Sequence, residues 1–161
     1  MVTKEQAILQ IVPSEVEVVV RILTGFGLAF VIGFERELRG STAGDRTFSL
    51  VGGAVAAITA ITFKVSPQAV AGAVTGIGFI GAGVVFHGES GLIRGVTTAS
   101  AIFATAAVGV VVGSGHLAAG VVATAILLLV LELRNVPVLN RLDARRYQPR
   151  FRDDYQPPSA R

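Results

Sequence analysis

Six charged side chains fall within the twelve residues that follow one long apolar run: Glu35, Arg36, Glu37, Arg39, Asp45 and Arg46. Interfacial anchoring and local ion pairing account for Glu37 and Arg39. Glu35 and Arg36 differ, because they abut Phe34 with no polar spacer. A charge drawn toward the centre of a bilayer costs about 2.5–3.5 kcal/mol, so residues at such depth pair or line a water-filled cavity. Glu35 is therefore expected to have a basic partner, Arg36 or Arg46, or else water. Arg21 makes the same case near the other end of that run, where snorkelling explains it equally well.

Two further stretches carry candidate chemistry. In Thr75–Gly83, Gly76, Gly78 and Gly81 satisfy the G-x-G-x-x-G of a dinucleotide-binding turn. That turn needs a strand before it, a helix after it and an acid about twenty residues on. Here the glycines sit inside an apolar segment, and the residues around Ala101 include no acid. The nucleotide reading fails. Small residues four apart instead let helix backbones approach closely in lipid, or the run Gly76, Gly78, Gly81 and Gly83 breaks the helix so that carbonyls line a polar cavity. Similar ladders recur at Gly25-Ala29-Gly33, Gly52-Ala56-Ala60 and Ala101-Thr105-Gly109-Gly113. The richest in glycine is expected at the centre of the bundle. The second stretch, Gly95, Thr97, Thr98 and Ser100, crowds three hydroxyls into a helix start. They either cap and back-bond to carbonyls or face a polar cytoplasmic cleft.

Enzymatic signatures are missing. His87-Gly-Glu89 resembles the H-x-E of zinc deaminases, yet the chain has no cysteine to complete such a site. His87 and His116 fall on opposite sides of the topology below, and neither a Ser-His-Asp spacing nor a P-loop is present. No catalytic residue, metal or cofactor is expected.

The elements that must hold these residues follow from composition. Of 161 residues 52% are hydrophobic and 16% charged, with a mean hydropathy of +0.65, against about 25% charged in soluble domains. The charges stand in islands between long apolar runs, which predicts an all-α polytopic membrane bundle. Five spans are expected, at about 16–34, 47–63, 69–86, 95–112 and 117–133. Ser14 and Glu17 form a capping box that opens the first, and Pro67 suits the start of the third. Residues 1–15 form an outer N-terminal segment, and 134–161 an arginine-rich tail that is partly disordered. Eleven of the fourteen Lys and Arg residues fall on the side of that tail. The positive-inside rule therefore places the C-terminus in the cytoplasm and the N-terminus outside. The net charge of +3 is explained by this orientation without nucleic acid, and the tail is expected to attract anionic lipid.

Together, Gly33–Gly52, "GFERELRGSTAGDRTFSLVG", and Gly76–Phe103, "GIGFIGAGVVFHGESGLIRGVTTASAIF", resemble the two signatures of the MgtC/SapB family of bacterial membrane proteins. The likeness covers about Val18 to Leu133. Its matching positions are Glu35, Arg36, Glu37, Gly44, Arg46 and Thr47, then Gly76, Gly78, Gly81, Gly83, Gly95, Thr97 and Thr98. Asp45, Val96, Ser100 and Phe103 depart from the common residues. The resemblance implies an inner-membrane protein of about five spans linked to magnesium-limited growth. It also implies partners in the membrane, such as the F-type ATP synthase or further copies of the chain. The alternative it leaves is a small-ion transporter with a path near Glu35, Arg36 and the span-three glycines. Some members carry a soluble C-terminal domain after the last span, and this chain resembles the short form.

Overall fold

The structure, a computed structural model, describes residues 13–85 and 95–133. Those residues form five α-helices and no strand: α1 (Glu15–Leu38), α2 (Asp45–Thr62), α3 (Pro67–Val85), α4 (Val96–Gly113) and α5 (Leu117–Glu132). Each expected span coincides with one helix, to within a few residues at the ends. Three of them, α1, α3 and α4, are long and apolar enough to cross a membrane. By contrast, α2 opens on the charges Asp45 and Arg46, and α5 has 16 residues, or about 24 Å of rise. His87, Glu89, Arg94 and the arginine-rich tail lie outside the described residues.

The helix ends follow from local chemistry. At the start of α1 the Glu17 amide donates to Ser14 Oγ at 3.3 Å, and the Ser14 amide donates to the Glu17 carboxylate at 3.1 Å. The expected capping box is present. At the other end, Ser41 N–H bonds the Arg36 carbonyl and Gly40 N–H bonds that of Glu37, with Gly40 at φ +70°. This is a Schellman motif, and its left-handed residue favours glycine. It stops α1 directly after the charged cluster and turns the chain toward α2.

The described residues up to Leu127 form one compact unit; a second begins at Leu128, and its described part is the end of α5. In the first unit the largest fully buried side chains, Ile32, Phe48, Val55, Thr59, Ile102, Thr105 and Val112, come from α1, α2 and α4. In lipid the association of helices rests on close packing rather than on apolar burial, and glycine makes it possible here. A Cβ added at Gly109 would lie 2.7 Å from the Gly52 carbonyl oxygen, and one at Gly113 would lie 2.6 Å from that of Ala56. One at Gly33 would stand 2.7 Å from the Asp45 Cα. The ladders on α1, α2 and α4 thus lock three helices backbone to backbone. Phe30 and Phe34 of α1 are exposed, whereas the Phe26 ring lies against Gly53 of α2.

The glycine-rich α3 departs from expectation. It is not central: Val70 is its only buried residue, and Phe79 is 84% exposed. Nor is it broken, since α3 runs as one helix from Pro67 to Val85. A Cβ at Gly76, Gly78 or Gly83 would meet nothing within 4 Å, and one at Gly81 would only touch Ala99 at 3.8 Å. The physical reason is simple. A ladder of small residues permits close approach but supplies no neighbour: α1 and α4 pack most closely on α2, and α3 lies more loosely against α4 and α2.

Candidate functional site

The C-terminal turn of α1, the start of α2 and the start of α4 bring the charged cluster together. Arg36 donates from both Nε and a terminal nitrogen to the two carboxylate oxygens of Glu35, a bidentate pair. The two side chains are 11% and 14% exposed. Arg39 lies one turn on, its Nε 3.7 Å from Glu35. Of the two basic partners expected for Glu35, the structure supplies Arg36. Arg46 is exposed at the first turn of α2, where its amide bonds the Asp45 carboxylate at 2.6 Å.

Glu37 has a different task. Its carboxylate accepts the Asp45 amide at 3.1 Å and so caps the start of α2 from the previous helix. Gly44, the N-cap of α2, has no side chain of its own to offer. A Cβ there would run into the Glu37 carboxylate, which makes glycine a condition of the cap. Thr47 follows in the first turn of α2, half-buried.

The opening of α4 joins the same end of the unit. Gly95 is its N-cap at φ +82°, and a Cβ there would lie 2.7 Å from the Val84 carbonyl oxygen of α3. Both the left-handed backbone and the close approach demand glycine. Ser100 back-bonds to the Val96 carbonyl at 2.9 Å, and Thr97 is exposed. Thr98 reaches across instead: its Oγ1 lies 3.2 Å from Ser41 Oγ, which ties α4 to the loop after Arg36. Ser41 carried no signal in the sequence beyond its place in the Gly40-Ser41-Thr42 turn. The glycines of α3 do not join the cluster. Gly78 and Gly81, with Ala82, Ala99, Ser100 and Phe103, line an open apolar groove between α3 and α4.

Arg21 stands apart, fourteen residues before Glu35 on the same helix, about 21 Å along its axis. It donates to the Gly113 carbonyl at 3.2 Å, placing a cation on the C-terminal end of α4. Among the described residues no group of three His, Cys, Asp or Glu side chains is placed to hold a metal.

The first signature and the Gly95–Thr98 part of the second thus meet at one end of the fold. The profile of the MgtC family matches residues 22–138. This chain belongs to the MgtC family. Protein MgtC of Brucella abortus (strain 2308) is 39% identical over 142 residues, covering 84% of this chain and 57% of its own length. The Escherichia coli K12 protein named "Putative magnesium transporter YhiD" is 35% identical over 130 residues, covering 73% of this chain and 60% of its own. An uncharacterised protein of Haemophilus influenzae is 29% identical over 152 residues, covering 86% of this chain and 63% of its own. The chain therefore spans less than two thirds of the length of these relatives. No solved structure matches. The match to the family takes in Glu35 through Thr98, so the cluster lies wholly inside it. Family and apolar helices together give the chain a membrane location.

Proposed function

We propose that this protein is a non-enzymatic component of the bacterial inner membrane that serves magnesium or ion homeostasis and stress adaptation. It acts by touching other membrane proteins, the F-type ATP synthase being one candidate. The observation that supports this reading is the closure of the charged cluster. Glu35 and Arg36 satisfy each other, Glu37 caps α2, and Ser41 meets Thr98. Neither the α3–α4 groove nor the small cavity beside Arg21 reaches Glu35 or Arg36. Such a cluster holds a shaped, charged surface in place at a bilayer edge. In this reading all five helices span, the N-terminus is outside, and the tail lies on cytoplasmic anionic lipid.

A second reading, a small-ion transporter, draws on two observations. One is the name of the Escherichia coli relative. The other is that the Thr59 and Thr124 hydroxyls are buried with no hydrogen-bond partner. Both readings put weight on Glu35, and rescue of a null strain under magnesium limitation tests that weight. Glu35→Gln keeps an acceptor for Arg36 but removes the charge, and it should lose rescue at an unchanged membrane level. Full rescue by both Glu35→Gln and Arg46→Ala would reduce the loop to a solvated turn.

A further inference from the structure

At the end of the unit opposite Glu35, a cavity of about 40 Å³ opens between α1, the α2–α3 turn and the end of α4. Its walls carry two cations, Arg21 and Lys64, beside Pro13, Ser114 and the apolar Ile61, Phe63 and Val65. A single water needs roughly 10–15 Å³ measured this way, so the space suits a group of three or four oxygens. We propose that this cavity binds the phosphate of an anionic phospholipid.

Three features support that occupant. The first is unused donor capacity. Arg21 gives one bond to the Gly113 carbonyl, and Glu17 at 4.0 Å is beyond hydrogen-bond reach; a guanidinium has five N–H groups. Lys64 pairs with no carboxylate among the described residues. The second is charge balance: Arg21 and Lys64 with Glu17 sum to one positive charge, matching a phosphodiester. Ser114 adds no donor, because its hydroxyl bonds the Val111 carbonyl at 2.8 Å and meets His116 Nδ1 at 3.0 Å. The third decides between lipid and free phosphate. Ile61, Phe63 and Val65 are exposed at the rim, where acyl and glycerol carbons would cover them and a free anion would not. Gly115 stands beside Arg21. At φ +101° it ends α4 in a second Schellman motif, with its own amide on Val112 and that of His116 on Val111. A Cβ there would lie 3.0 Å from the Arg21 guanidinium, so glycine leaves that face of the cation open.

The test uses the full chain, delipidated in neutral detergent, with the thermal midpoint followed against short-chain phosphatidylglycerol, short-chain phosphatidylcholine and inorganic phosphate. Phosphatidylglycerol should stabilise the protein at lower concentration than either other probe. Lys64→Gln, an exposed change that spares the fold, should raise the concentration required roughly fivefold, as expected for one basic residue at a lipid surface. Binding to the arginine-rich tail is common to both proteins and cancels. Arg21→Gln should have the same effect, and Lys64→Gln keeps the test valid if Arg21→Gln does not fold. Equal stabilisation by inorganic phosphate would overturn the lipid assignment in favour of a free-anion site. An unchanged phosphatidylglycerol response in Lys64→Gln would overturn the site itself.

Discussion

Neighbouring residues on a helix point about 100° apart, so Glu35 and Arg36 meet through the reach of their long side chains. What makes this worthwhile is depth: with both side chains largely covered, an unmatched charge on either would be expensive. Replacing Glu35 with alanine should therefore destabilise the protein by about 2–3 kcal/mol, since it leaves a mostly buried guanidinium without its carboxylate. The double change Glu35→Gln with Arg36→Met should recover most of that loss, because a buried pair removed whole is often close to neutral. A double-mutant cycle on unfolding in detergent measures both; strictly additive losses would mean the pair is not coupled. The need for a partner was legible in the sequence, from two charges placed directly against Phe34. The choice of Arg36 over Arg46 was not, because it depends on how the Gly40 turn ends α1. Thr98 is a similar case: its hydroxyl was legible as a helix-start feature, its meeting with Ser41 only from the fold.

At the scale of the helices, the same sequence pattern led to two different outcomes. Ladders of small residues on α1, α2 and α4 bring backbones together, whereas the ladder on α3 faces out of the chain. Gly109→Leu should cost several kcal/mol or prevent folding, because the Gly52 carbonyl lies where its Cβ must go. Gly76→Leu should cost the single chain little, and the loss of a glycine from a helix interior even favours it by up to about 1 kcal/mol. Thermal unfolding of the purified variants compares them; equal damage at both sites would show that α3 is packed by a neighbour. Helix positions were legible from the apolar runs and from the Ser14 and Pro67 start signals. Packing order was not, because spacing shows which faces can approach and not which helix occupies the space. Gly95 illustrates the gap: its place before Thr97 was visible, its contact with Val84 was not.

For the whole molecule, orientation rests on charge. In the proposed five-span topology, eleven of the fourteen basic residues, those of the loop that holds Glu35 and Arg36 among them, share the cytoplasmic side. A cytoplasmic reporter fused after Arg152 should be active, and so should a periplasmic reporter inserted near Pro67; the reverse pair of results would invert the assignment. Contact rather than conduction is the claim on which the functional reading stands, and reconstitution tests it most directly. The purified chain is placed in liposomes loaded with a magnesium-sensitive dye, beside Glu35→Gln at matched protein density. Expected is no magnesium entry above protein-free liposomes for either protein. Entry through the native chain that disappears in Glu35→Gln would contradict a closed cluster and make this protein a transporter.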